Sequence, residues 1–229
     1  MIILFTALIT LIIVVIGLGY ANIGLQIKRY PSYWHALAVK PTTSNTLIYV
    51  ALGDSTAQGI GASSPARGYV GLIAKRIEAK TGRPVKVINV SVSGDKVDDV
   101  LQKQISQIQD IRADIVTIEI GANDVRTYNK QQFDAQFSLL LKHLPKGTYV
   151  SDMPRFDNPK AQAKATEISN TIGELVPKNG QKLVPLFAFT SKNTSPWRNS
   201  TDWFHPSNQA YMYWADAFWS QIENDPALQ

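Results

Sequence analysis

A repeating alternation constrains this chain more than anything else in it. Apolar-rich runs of strand length occupy residues 47–52, 85–90, 115–120, 149–151 and 182–187. Each is followed by a stretch with helical spacing: 69–80, 97–108, 131–144, 160–176 and 207–222. Thr81-Gly82-Arg83-Pro84 stops the first of these helices, and Pro145 with Gly147 stops the third. Strands that are apolar along their length need cover on both faces. The pattern therefore predicts an α/β fold, with a five-stranded parallel sheet between two layers of helix. In such sheets the working groups lie beyond the carboxyl ends of the strands. At 229 residues one globular domain is the natural expectation.

The N-terminus departs from this pattern. No charged side chain occurs from Met1 to Ile27, and residues 2–18 are almost purely Ile, Leu, Val, Phe and Ala. A bilayer core needs about 20 apolar residues in helix, and this segment meets that. A cleaved signal peptide would carry a charged start, a shorter apolar run and small residues at the cut. Here no Lys or Arg precedes the run, and Ala21-Asn22 makes a poor cleavage site. The expected organisation is a transmembrane anchor over 1–27, a juxtamembrane segment and linker over 28–45, and a catalytic domain over 46–229. Pro41-Thr42-Thr43-Ser44-Asn45 reads as the linker.

Net charge is +5, but Lys28, Arg29 and Lys40 all precede the first acid, Asp54. Beyond Asp54 the charges nearly balance, so the basic excess marks the membrane end and no nucleic-acid surface. Lys28 and Arg29 can meet anionic headgroups. Tyr20, Tyr30, Tyr33 and Trp34 suit either an interfacial belt or packing against the domain. The positive-inside rule favours a cytoplasmic domain, although three charges leave the side of the membrane open. The expected location is a single-pass membrane protein.

Three motifs stand out: Gly53-Asp54-Ser55 and Gly121-Ala122-Asn123-Asp124 end strands, and Asp202-Trp203-Phe204-His205-Pro206 lies in the loop before the last helix. A serine hydroxyl needs a base to remove its proton before it attacks a carbonyl. The chain has three histidines: His35, His143 and His205. His35 lies by the anchor, and His143 ends a predicted helix, where it suits the dipole. His205 follows Asp202 by three residues, so the carboxylate can hold one imidazole nitrogen while the other faces Ser55. A tetrahedral intermediate also needs donors aimed at its oxyanion. Asn123 offers a side-chain amide, Gly94 an unobstructed backbone N–H, and Ser55 its own amide. Each motif alone has a plainer reading. Gly-Asp-Ser and Gly-x-Asn-Asp are common turns, and Asp202 or Ser207 can cap a helix. Their joint arrangement, in this order, favours chemistry.

These residues resemble the SGNH (GDSL) hydrolase family over about residues 46–224. Its serine corresponds to Ser55, its glycine to Gly94 in Ser91-Val92-Ser93-Gly94-Asp95, its asparagine to Asn123 and its histidine to His205, with Asp202 as partner acid. The resemblance implies a flavodoxin-like three-layer sandwich and an oxyanion hole formed by Ser55, Gly94 and Asn123. Thr56 stands where the family usually has leucine.

The expected activity is a serine esterase acting through an acyl-serine intermediate. Acyl lipids, glycan O-acetyl groups and other small esters are the candidate substrates, and acyl transfer to a second alcohol is the related alternative. A non-catalytic module on the same fold would be expected to have lost one of Ser55, Asn123, Asp202 or His205, and all four are present. The chain has no cysteine, which excludes thiolate catalysis and Cys-ligated metal. It has no His-Glu-x-x-His cluster and no phosphate loop, and Gly59-Ile60-Gly61 lacks the third glycine of a dinucleotide loop. No metal or cofactor is expected. Asp54, Asp95, Asp124 and Glu119 are expected as structural hydrogen-bond partners, and Arg67 and Arg126 as possible contacts for an anionic group.

Overall fold

The computed structural model describes residues 2–229, with side-chain surroundings for residues 9–11 and from 13 onward. Five strands form one sheet: β1 (Leu47–Gly53), β2 (Val85–Asn89), β3 (Ile115–Glu119), β4 (Tyr149–Ser151) and β5 (Lys182–Val184). Every pairing is parallel, in the order β2-β1-β3-β4-β5. The chain steps outward from β1 to β2, then crosses back to β3 on the other side of β1. That reversal opens a crevice beyond the ends of β1 and β3.

Alternate residues of the buried strands feed two cores, one on each face. Leu47, Tyr49 and Ala51 pack with Tyr69, Ile73, Tyr211 and Phe218. Val50 and Leu52 pack with Ile118, Phe137, Leu140 and Ile172 on the opposite face. The aromatics of the last helix, Asn208–Ile222, thus serve chiefly as core. The Phe218 ring stacks on Tyr69 at 5.0 Å.

Two expectations change. The run 182–187 is a strand only to Val184, and Leu186–Thr190 is helix. Pro185 has no N–H for the ladder, so the strand ends there. The segment 28–38 is no separate juxtamembrane element. It continues a single helix, α1 (Ile2–Ala38), which lies against β2. Ile23, Gln26, Tyr30 and Trp34 lie along one face at helical spacing and are buried. The Tyr30 hydroxyl donates to the Ala62 carbonyl at 2.7 Å, and the Trp34 indole N–H to that of Gln58 at 3.0 Å. Of the four aromatics there, Tyr30 and Trp34 therefore pack into the domain, while Tyr20 and Tyr33 stay exposed.

Among the described residues one helix, Ile9–Ala38, is long and apolar enough to cross a membrane. Signal sequences and the core helices of soluble proteins meet the same test of length and composition.

Candidate active site

Ser55 opens a single helical turn, Ser55–Gln58, set on the end of β1. Asp54 caps that turn, its carboxylate accepting from the Thr56 N–H at 2.9 Å. β1 reaches the turn in a fixed position because Gln104 clamps Gly53. The Gln104 side chain accepts from the Gly53 N–H at 3.0 Å and donates to its carbonyl at 2.8 Å and to Asp95 Oδ2 at 2.8 Å. Gln104 closes a π-helical turn, Val100–Gln104, inside the helical stretch 97–108. A regular 3.6-residue pattern gives no sign of such a turn, so sequence reasoning missed this residue. Gln58 was missed as well. Its amide donates to the Ser91 carbonyl at 2.8 Å and its oxygen accepts from the Ser93 hydroxyl at 2.5 Å, tying the loop after β2 to the Ser55 turn.

The histidine arrives from a different part of the chain. Residues 199–206 form a loop pinched by a bridge between Asn199 and Pro206. The Ser200 N–H donates to the His205 carbonyl at 2.7 Å. Asp202 Oδ1 accepts from the backbone N–H groups of Phe204 and His205 at 3.2 and 3.1 Å. Its other oxygen, Oδ2, lies 2.5 Å from His205 Nδ1. Trp203, between them, takes a left-handed φ of 60°. Such a conformation persists in a bulky residue only where its surroundings impose it. The helix cap is Ser207, whose hydroxyl accepts from the Ala210 N–H. Asp202 does not share that role; its carboxylate is spent on the loop and the imidazole.

His205 Nε2 lies 3.0 Å from Ser55 Oγ. The three side chains form one continuous chain, and all are buried. Burial by itself raises the Asp202 carboxyl, but the hydrogen bonds from His205 and the imidazole's charge outweigh it and leave it below its ordinary value. An ionised Asp202 fixes Nδ1 as the protonated nitrogen and leaves Nε2 free to accept from the hydroxyl.

Asn123 lies in the turn after β3. Both of its amide protons are engaged, one by Asp54 Oδ2 at 2.9 Å and one by the Asp95 carbonyl at 3.0 Å. A bound oxyanion would have to share one of them. Gly94 sits on the loop after β2 with φ +89°, exposed and open around its α-carbon. It lies outside the residues that line the cavity, and its neighbour Asp95 makes the link to Asn123. The structure therefore brings Ser55, His205 and Asp202 into bonded contact and sets Asn123 among the residues of the same cavity, whereas Gly94 lies outside its lining.

Next to Ser55 in the chain, Asp54 and Thr56 belong to a buried acid cluster. Thr56 Oγ1 is 2.9 Å from Asp54 Oδ1 and 2.5 Å from Glu119 Oε2. Burial, then the charge of Asp54, pushes Glu119 well above the carboxylate range, and burial raises Asp54 as well. Asp124 is pushed up to about 6, again by burial. All are hydrogen-bonded within the fold, as the sequence suggested. His143 meets only the Leu139 carbonyl, one helical turn back, and is exposed.

A cavity of about 490 Å³ opens over the serine. Ala122, Val125, Phe156, Trp203, Phe204 and Trp214 give it a largely apolar wall. Arg126, Arg155 and Arg198 also reach it, whereas Arg67 does not. Arg198 is paired with Asp157. Among the described residues no group of three or more His, Cys, Asp or Glu is arranged to hold a metal.

A parallel α/β/α sandwich with a serine, an imidazole and a carboxylate joined at the switch point of its sheet defines a class of hydrolases. Comparison with known proteins assigns the family within it: the chain belongs to the GDSL-like Lipase/Acylhydrolase family, whose model matches residues 51–213. It is a hydrolase acting on ester bonds. It is 35% identical over 97 residues to YpmR, an uncharacterized protein of Bacillus subtilis (strain 168). That match spans 40% of this chain and 37% of the relative's length. Among solved structures it is similar to TesA, with a TM-score of 0.65 and 22% identity over 80% of this chain and 99% of that one. It is similar also to a lipase/acylhydrolase from Enterococcus faecalis, at 0.66 and 22%, over 77% and 95% of the two chains. The acetylxylan esterase Axe2 from Geobacillus stearothermophilus matches at 0.61 and 21%, over 77% and 94%.

Proposed function

We propose that the protein is a membrane-anchored serine esterase that cleaves carboxylic esters through an acyl-Ser55 intermediate. The observation that carries this reading is the unbroken chain from Asp202 through His205 to Ser55, at 2.5 and 3.0 Å, opening onto a cavity. Ser55 Oγ attacks the ester carbonyl as Nε2 of His205 takes its proton. Asp202 holds the imidazole and stabilises the imidazolium. Negative charge collects on the former carbonyl oxygen, and Asn123 with the backbone N–H groups of Ser55 and Gly94 receives it. The imidazolium then gives its proton to the leaving alcohol. Water, activated by the same imidazole, attacks the acyl carbonyl and restores the serine.

The apolar wall of the cavity favours an acyl chain over a sugar as the main contact, and the acyl lipid is the substrate class we infer. Helix α1 is the anchor, and its buried face along Ile23, Gln26, Tyr30 and Trp34 holds the domain to it.

The test is hydrolysis of a series of p-nitrophenyl esters from acetate to palmitate by the full chain and by Ser55→Ala. The wild type is expected to prefer the longer acyl groups and the variant to lose the activity. Undiminished hydrolysis by Ser55→Ala would overturn the mechanism. Preference for acetate would move the substrate to O-acetylated sugars.

A further inference from the structure

The helix and the site are not independent. The uncharged span of the chain runs from Met1 to Ile27. The domain already touches α1 at Gly19, where the Thr201 hydroxyl meets the Gly19 carbonyl at 3.3 Å. A β-carbon at Gly19 would stand 2.8 Å from that of Thr201, so only glycine allows so close an approach. Further along the helix, the Gln26 side chain accepts from the Gly61 N–H at 2.8 Å. Gly61 in turn packs against His205 and Pro206. From Gly19 to Gln26 the helix advances about 10 Å. Over that length α1 is both uncharged and in contact with the active-site end of the domain.

If α1 spans the bilayer with its almost purely apolar residues 2–18, Gly19 lies where it leaves the apolar layer. The loop 195–206 is then carried to the membrane surface along with Gly19, with no room for it to stand clear. Its composition suits that position. Trp197 is 75% exposed, Trp203 69% and Phe204 57%. Aromatic side chains are at home in the interfacial layer, where an apolar ring can be buried and a polar edge kept wet. On α1 itself Leu11, Ile13, Val15 and Leu18 point outward without partners in the protein, as a lipid-facing helix does. Trp203 and Phe204 also line the cavity over Ser55.

We propose that the loop 195–206 is an interfacial docking surface that seats the mouth of the active site in the bilayer, so that an acyl lipid enters the cavity directly from the membrane. This rests on the reading of α1 as an anchor and deepens the proposed esterase function. Trp203 and Phe204 then sit in the interfacial layer at the site's entrance, and the contact of Gly61 with His205 lies at the level of Gln26, about 10 Å along α1 from Gly19 toward Lys28. The exposed aromatics thus have a partner, the lipid.

The chain has no cysteine, so a single introduced thiol can be labelled alone. The full chain carrying Trp203→Cys, labelled with an environment-sensitive NBD fluorophore, is reconstituted into phosphatidylcholine vesicles containing a spin-labelled phospholipid. Phe204→Cys serves as the second site, and exposed Lys80→Cys, in the last turn of the helix Tyr69–Thr81 near the start of β1, as the reference. Blue-shifted emission and quenching at 203 and 204, with neither at 80, are expected. Equal, unquenched emission at all three positions would overturn the proposal, as would a chain that does not stay with the vesicles. A second readout is the ratio of hydrolysis of a long-chain ester in vesicles to that of a soluble short-chain ester. Trp203→Ser should lower this ratio roughly tenfold, the loss of one buried indole, and an unchanged ratio would count against docking. If the esterase reading were wrong, both rates would be absent while the quenching persisted, so the two failures are distinguishable.

Discussion

Replacing Glu119 by Gln tests whether the carboxyl that meets Thr56 is neutral, because the geometry makes a proton count possible. The Thr56 hydroxyl has one proton and two carboxyl neighbours, Asp54 at 2.9 Å and Glu119 at 2.5 Å. If Thr56 donates to Asp54, the shorter contact needs a proton on Glu119 itself. A folded Glu119 that holds its proton above the ordinary value of about 4.3 makes the native state the better proton binder. Stability then falls as pH rises from that value toward the folded one. One proton contributes at most about 1.4 kcal/mol per pH unit. Asp54, Asp124 and Asp152 act in the same direction, the last two being pushed up to about 6 by burial. They remain in the variant, so subtracting one pH curve from the other leaves Glu119 together with its coupling to Asp54. Gln keeps the shape and can donate an N–H to the Thr56 oxygen, so the variant should lie within about 1 kcal/mol of wild type at pH 4. Above that, wild type should fall relative to Glu119→Gln by up to about 1.4 kcal/mol per unit. Urea unfolding of both proteins, full chain in detergent, at steps from pH 4 to 8 gives the curve. A difference that stays flat across the range would show that Glu119 ionises normally and would refute the proton count.

Two further substitutions probe the site's scaffold. Gly61 has φ +94°, and a β-carbon there would lie 2.5 Å from the Pro206 carbonyl oxygen and 2.8 Å from His205 Cβ. Gly61→Ala should cost on the order of 1–3 kcal/mol by thermal denaturation and lower kcat by moving the imidazole; full kcat in a destabilised protein would separate the two effects and contradict the link. Asn123→Ala should lower kcat by about 10²–10³ with little change in KM, measured on a soluble ester at saturation. A rise in KM with kcat unchanged would remove Asn123 from the oxyanion site.

Much of the fold was legible because burial is written locally. A strand covered on both faces must be apolar, so 47–52, 115–120 and 149–151 declare themselves, and helices covering the sheet show a periodic face. The site residues were legible for a related reason. Ser55, Asn123, Asp202 and His205 lie within short motifs, two that end strands and one in the loop that leads into the last helix, all elements the periodicity had already found. The sequence was silent where a side chain reaches across the fold. Nothing near Gln104 signals that it clamps Gly53, 51 positions earlier, and nothing near Gln26 signals that it binds Gly61. Pro185 did carry a signal, the missing N–H, against the longer strand expected there.

The residue string alone determined the α/β class, the apolar helix and the three residues proposed as nucleophile, base and acid, because these follow from hydrophobic period and from the chemistry of single side chains. Tertiary structure decided how they meet. It placed Ser55 3.0 Å from a histidine 150 positions away, made Thr56 the link between two buried carboxyls, and laid the C-terminal half of the apolar helix against the domain. Those outcomes depend on distances between elements far apart in the chain, which are fixed only when both faces of the sheet are packed.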